Sequence, residues 1–273
     1  MKDIHFTTRR MIGASITLLA IAVCWVIAQW ESARLGRPAI ATGVTALIGL
    51  FGLVLLGVRR RIPFWPLGNA SIWTQVHIYV GFFTTAIYFI HVPRIIGDGI
   101  FECFLSLLFL SVSVSGFYGL FISRTLPKKL AAIEGQHRFD RMVWHRDEIA
   151  KTASGVVEKL TDSATSRVLG TFYGKVLQPF FSSRPSLAYV IAPNGNRRRQ
   201  LLGDLKELDR YLESDGRTAA GKFAALVRRR DDLDYQFALQ LRLRTWLVFH
   251  GLLSIVLIIV AVVHAVLAFR FTG

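Results

Sequence analysis

The sequence predicts an all-α fold: a polytopic membrane helix bundle of about five transmembrane helices with a mostly helical cytoplasmic insertion. Three observations predict it. Apolar residues make up 52% of the 273 positions and mean hydropathy is +0.43, a membrane composition and not that of an ordinary soluble domain. Five apolar stretches reach the roughly 20 residues that a helix needs to cross a bilayer. The 33 Lys and Arg residues are gathered into a few connections, as topology signals are.

Residues 1–122 carry the first four spans, at 11–30, 39–58, 72–92 and 100–122. Thr7, Thr8, Arg9 and Arg10 resemble a twin-arginine signal, but the apolar run after them is long for a signal peptide and no small-x-small site follows Gln29. The first span is therefore expected to be a retained helix. Residues 123–245 form the insertion, too long for a simple loop. Pro127 is expected to break the chain after the fourth span. Helical periodicity runs over 129–160 through Ile133, Met142, Trp144 and Ile149. An aromatic, turn-rich stretch follows, then a short strand is expected near 187–191, a turn at Pro193-Asn-Gly-Asn196, and an amphipathic helix over 201–212. Ser214-Asp-Gly216 reads as a break. From Thr218 one long helix is expected to run into the fifth span at 246–269, within the closing segment 246–273.

Net charge is +15. Lys2, Arg9 and Arg10 precede the first span, Arg59, Arg60 and Arg61 follow the second, and the insertion holds 23 Lys/Arg against 14 Asp/Glu. The remaining connections hold only Arg34, Arg37 and Arg94. The positive-inside bias places the N-terminus and insertion in the cytoplasm and the C-terminus outside a prokaryotic inner (plasma) membrane. Topology and contact with anionic lipid account for the charge, leaving no case for nucleic-acid binding. The two cysteines, Cys24 and Cys103, fall in or beside apolar spans. Without CxxC or CxxCH, the chain offers no cysteine-ligated zinc or iron–sulfur site and no c-type haem attachment.

Four histidines lie in membrane-length segments, as two equal pairs. His77 and His91 share the third span, His250 and His264 the fifth, and each pair is 14 residues apart. That spacing returns to nearly the same helix face about 21 Å further along the axis. With the predicted topology the two helices are parallel, which puts His77 level with His250 on the cytoplasmic side and His91 level with His264 on the outer side. Two such clamps suit two haems, each held by one axial histidine from either helix. A bare metal ion needs three or four ligands, and each level offers two. Small residues along the same faces, Gly81, Thr84 and Tyr88 on one helix and Ser254, Leu257 and Ala261 on the other, are expected to admit a flat cofactor. Arg94, three residues past His91, is a candidate partner for the outer propionates; Arg244, or Arg59, Arg60 and Arg61, for the inner ones.

On these paired histidines the chain resembles dihaem b-type transmembrane cytochromes: the cytochrome b of quinol–cytochrome c oxidoreductases, and the transmembrane part of ferric reductases and NADPH oxidases. The resemblance covers the spans and leaves out 123–245. It implies haem-ligand roles for His77, His91, His250 and His264, with two haem b cofactors and electron transfer within a larger redox complex. A cytoplasmic subunit is then expected to dock on 123–245 and a cytochrome c-type or other carrier outside, with quinone a further candidate ligand. No GxGxxG or Walker-type loop is present, so the chain carries no recognisable flavin or nicotinamide domain of its own. The rival expectations are a quinol-oxidising or ferric-reductase module, with Asp98 and Glu102 accepting protons, and a metal or proton transporter using the histidines directly. His137 and His145 are expected to be ordinary solvated or hydrogen-bonded histidines.

Overall fold

In the computed structural model, which describes residues 2–61, 70–92, 94–133, 135–160 and 164–272, every regular element is a helix. The chain divides into two compact units, Met1–Phe121 with Leu247–Gly273, and Ile122–Trp246.

The first unit begins with α1 (Lys2–Ala33) and α2 (Pro38–Arg61). A tight turn joins them, with Leu35 in the left-handed region at φ 56° and Pro38 pre-set for the first turn of α2. Next come α3 (Ala70–His91), α4 (Ile100–Ala131) and the end of the last helix. Among the described residues four helices are long and apolar enough to cross a membrane, within Thr7–Ala33, Pro38–Leu55, Ile100–Ala131 and Ser214–Phe271. The fifth expected span, α3, has the length, at 22 residues. It carries Thr74, Gln75, His77, Thr84, Thr85 and His91 and is less apolar than those four. Its polar groups are turned to other helices: Tyr79 donates to the Arg10 carbonyl of α1 at 2.9 Å, and Thr84 is fully buried. α3 packs closely on both α2 and α1. Gly49 makes the α2 approach possible, because a Cβ there would lie 2.2 Å from Thr84 Oγ1 and 3.2 Å from its Cβ. Leu50 of α2, Tyr88 of α3, Leu108 and Phe109 of α4, and Leu257 and Ala261 of the last helix form the buried apolar centre.

The second unit contains α5 (Met142–Glu158), α6 (Ala164–Phe172), a π-helical turn (Tyr173–Leu177), α7 (Gln178–Ser182), α8 (Leu187–Ile191) and α9 (Asn196–Leu208). The N-terminal part of α10 (Ser214–Thr272, 59 residues) completes it. Met142, Ile149 and Ala153 of α5 and Leu201 and Leu205 of α9 face Phe223 and Val227 of α10, at the three-to-four-residue repeat that makes one helix face.

Three local expectations are corrected. The segment at 187–191 is a helical turn and not a strand: Ser186 Oγ accepts from the Tyr189 amide and caps it. Pro127 does not end α4, which continues to Ala131. The proline forfeits one backbone bond, while Leu126 is buried with Ile122 and Leu239 and has Leu130 packed beside it. Ser214-Asp-Gly216 begins α10 and does not interrupt it.

The polar interior of this unit is a charge cluster. Asp234 bonds Arg146 at 3.3 Å and pairs with Arg230 one helical turn before it, and all three side chains are at least nine-tenths buried. Arg230 also donates to the Ser183 carbonyl. His137 and His145 stack with ring centres 3.9 Å apart, while Gln236 and Gln240 hold the His137 backbone. Burial, the neighbouring His145 and Arg229 together push the His137 imidazole below its ordinary range, against the pull of Glu148. Burial and Asp231 push the Tyr189 phenol upward.

Candidate functional site

All four membrane histidines lie in the first unit and all are half-buried. Their pairing follows the chain direction. The ring centres of His91 and His264 are 6.5 Å apart, with planes inclined by 79°. His77 is the charged group that His250 feels. An antiparallel arrangement would have joined His77 to His264, so in this unit α3 and the end of α10 run in the same direction.

The separation of 6.5 Å is too long for a hydrogen bond between the rings and suits an iron between them. Two metal–imidazole bonds of about 2 Å, with about 1 Å more from each nitrogen to its ring centre, place axial ring centres about 6 Å apart. Among the described residues no three His, Cys, Asp or Glu side chains gather as a metal cluster. Two imidazoles per level is the number a porphyrin-bound iron takes from the protein.

The ring orientations fit as well. His77 Nδ1 lies 3.1 Å from the Leu53 carbonyl of α2. A carbonyl only accepts, so Nδ1 carries the proton and the lone pair is on Nε2. His91 Nδ1 lies 3.1 Å from Thr42 Oγ1. That hydroxyl already donates to the Pro38 carbonyl at 2.8 Å, so it accepts from His91, with the same tautomer. His250 Nδ1 lies 3.2 Å from Ser115 Oγ of α4. Histidine ligands are commonly held in this way, the far nitrogen donating to an oxygen that fixes ring and tautomer. His264 instead stacks on Phe101, ring centres 6.1 Å apart and planes 21° from parallel.

Glycines make room for two of the rings. A Cβ on Gly43 would sit 3.0 Å from His91 Cε1, and one on Gly116 would sit 3.7 Å from His250 Cε1. Tyr88 and Phe109 stack at 4.2 Å, nearly parallel, and lie buried with Leu257 and Ala261. These last two residues fall between His250 and His264 along α10. The expected small-residue face is thus divided. Tyr88, Leu257 and Ala261 share the central core, whereas Thr84 turns to Gly49 and a Cβ on Gly81 would meet Leu53 of α2 at 3.8 Å.

No family model, no curated protein and no solved structure matches this chain.

The candidate arginines are occupied by other partners. Arg94 pairs with Asp98 at 2.9 Å, both side chains well exposed. Arg244, in the second unit, lies over the Phe139 ring at 4.3 Å. The side chains of Arg59, Arg60 and Arg61 lie outside the described residues. Sequence reasoning missed Thr42, Gly43, Leu53, Ser115 and Gly116. Thr42 and Ser115 did carry a signal, as hydroxyls inside apolar spans. Which oxygen meets which imidazole depends on how α2 and α4 are rotated against the histidine helices, and helix periodicity does not encode that.

Proposed function

We propose that this chain is a dihaem b-type membrane cytochrome, a subunit that carries electrons across a prokaryotic inner membrane within a larger redox complex. The observation that carries this proposal is the pair of His–His levels, with one ring pair at the separation an axial iron requires. His77 and His250 would hold one iron from opposite faces, and His91 and His264 the other. Bound haem supplies reversible one-electron carriage between ferrous and ferric iron. The residues of this chain do the rest. Leu53, Thr42 and Ser115 orient the imidazoles, Gly43 and Gly116 admit them, and Tyr88, Phe109, Leu257 and Ala261 keep the space around the levels dry.

The basic connections support a cytoplasmic N-terminus and a cytoplasmic 123–245 segment, with α3 crossing as the remaining span. That segment would dock an electron-donating or electron-accepting subunit, with a cytochrome c-type carrier outside and quinone as a further ligand. Arg94 would need to leave Asp98 to reach an outer propionate. Thiol labelling from outside intact cells should miss a cysteine placed at Asn194 and reach one at the C-terminal end; the reverse would invert the topology.

Haem content tests the proposal. Pyridine haemochrome analysis of the purified, fully loaded chain should give two b haems, with low-spin six-coordinate spectra. One haem or none, or a high-spin spectrum for both, would contradict it.

A further inference from the structure

The two levels are not equivalent in what holds their histidines. On the His77/His250 level both rings have an oxygen partner at Nδ1, the Leu53 carbonyl at 3.1 Å and the Ser115 hydroxyl at 3.2 Å. On the His91/His264 level only His91 is so held among the described residues, by Thr42 at 3.1 Å and by the nearby Ala39 carbonyl. His264 meets the face of Phe101, which offers no comparable acceptor.

An imidazole that donates its far N–H acquires imidazolate character and becomes a more basic ligand. A more basic ligand stabilises ferric over ferrous iron, and axial ligands with their hydrogen bonds are among the chief levers on haem potential. With iron on Nε2 of His250, Nδ1 carries the proton, so Ser115 must act as acceptor there.

We propose that the Leu53 carbonyl, Ser115 and Thr42 act as positioning groups that set the two levels to unequal potentials, with the His77/His250 level the lower and the His91/His264 level the higher. This rests on the dihaem proposal above and adds an order that the sequence does not contain. Under the charge-derived topology, the low-potential level lies toward the cytoplasm. The downhill direction is then outward, which fits a strongly reducing donor on the cytoplasmic side and a milder oxidant outside.

The experiment is a potentiometric titration of the full chain in detergent, followed in the visible haem bands and by electron paramagnetic resonance. His77→Ala and His91→Ala, each lacking one haem, assign the two steps to levels. The expected result is that the lower midpoint belongs to the His77/His250 level. Ser115→Ala should raise the lower midpoint alone, and Thr42→Val the higher midpoint alone, each with a change in the g-values of that haem only. A reversed order, or midpoints unmoved by both substitutions, overturns this inference and leaves the dihaem proposal standing. Loss of a haem in place of a shift would make the hydroxyl a structural support, and also overturns it. A wild-type chain that binds no haem overturns the dihaem proposal itself and this inference with it.

Discussion

Gly49→Ala offers a quantitative test of how α2 and α3 are joined. A Cβ at this position would lie 2.2 Å from Thr84 Oγ1, about 1.2 Å short of the 3.4 Å at which ordinary contact begins, and also 3.2 Å from Thr84 Cβ and 3.3 Å from Cγ2. Thr84 is fully buried, and its hydroxyl is tied to the Val80 carbonyl at 2.8 Å. One methyl group therefore meets a branched side chain with no open rotamer, and the helices must part. Overpacking of this kind costs about 1–3 kcal/mol, and in a bilayer close packing is a principal force between helices. Because α2 also supplies Thr42 and the Leu53 carbonyl, parting the helices should loosen His91 and His77 together. The expected outcome is a loss of about 1–3 kcal/mol in detergent-mediated unfolding, with weaker haem retention at both levels. Removing the obstruction tests the cause: Gly49→Ala with Thr84→Ala should recover most of the stability lost by Gly49→Ala alone. Wild-type stability in the single variant, or no recovery in the double, would refute the assigned contact.

Three further outcomes are expected. Asp234→Asn leaves Arg146 and Arg230 buried without their shared anion, so unfolding of the second unit in the full chain should become about 3–5 kcal/mol easier, read from hydrogen exchange in 142–158 and 214–240; unchanged exchange would contradict the pairing. The His137 imidazole sits below its ordinary value of about 6.5, so the unfolded chain takes up its proton first as pH falls. The stability it contributes is complete above about pH 6.5 and is lost as pH drops toward the folded value; His137→Gln should flatten that decline, and an unchanged pH profile would count against it. The purified chain should be reduced by dithionite but not by NADH or NADPH, because it carries no recognisable nicotinamide or flavin motif; rapid reduction by NADPH would favour a self-contained reductase.

Much of the first unit could be read from the sequence because its signals are periodic and strong. An interval of 14 residues, repeated on two helices, selected the same partners that the structure brings together, His91 with His264 and His77 with His250. The long α10 was visible because no proline interrupts 218–272. Composition rates α3 less well, because its polar side chains are satisfied by α1 and α2 and a hydropathy average cannot see a partner. The same limit hid the groups around the imidazoles. Thr42, Leu53 and Ser115 sit on helices with no histidine of their own, and the phase of one helix against another is set by packing such as Gly49 on Thr84. In the insertion, local rules were outweighed by burial. Leu126 and Leu130, in the apolar cluster on either side of Pro127, carry the helix past it, and a serine cap turned a β-branched run into a helical turn.

The central claim is that four histidines form two ligand levels. Haem loss from single substitutions, measured on the purified full chain, tests it most directly. His77→Ala and His250→Ala should each remove one and the same haem, recognised by its spectrum and midpoint, while His91→Ala and His264→Ala remove the other. If His77→Ala and His250→Ala remove different haems, or if all four variants keep two haems per chain, the levels described here are wrong.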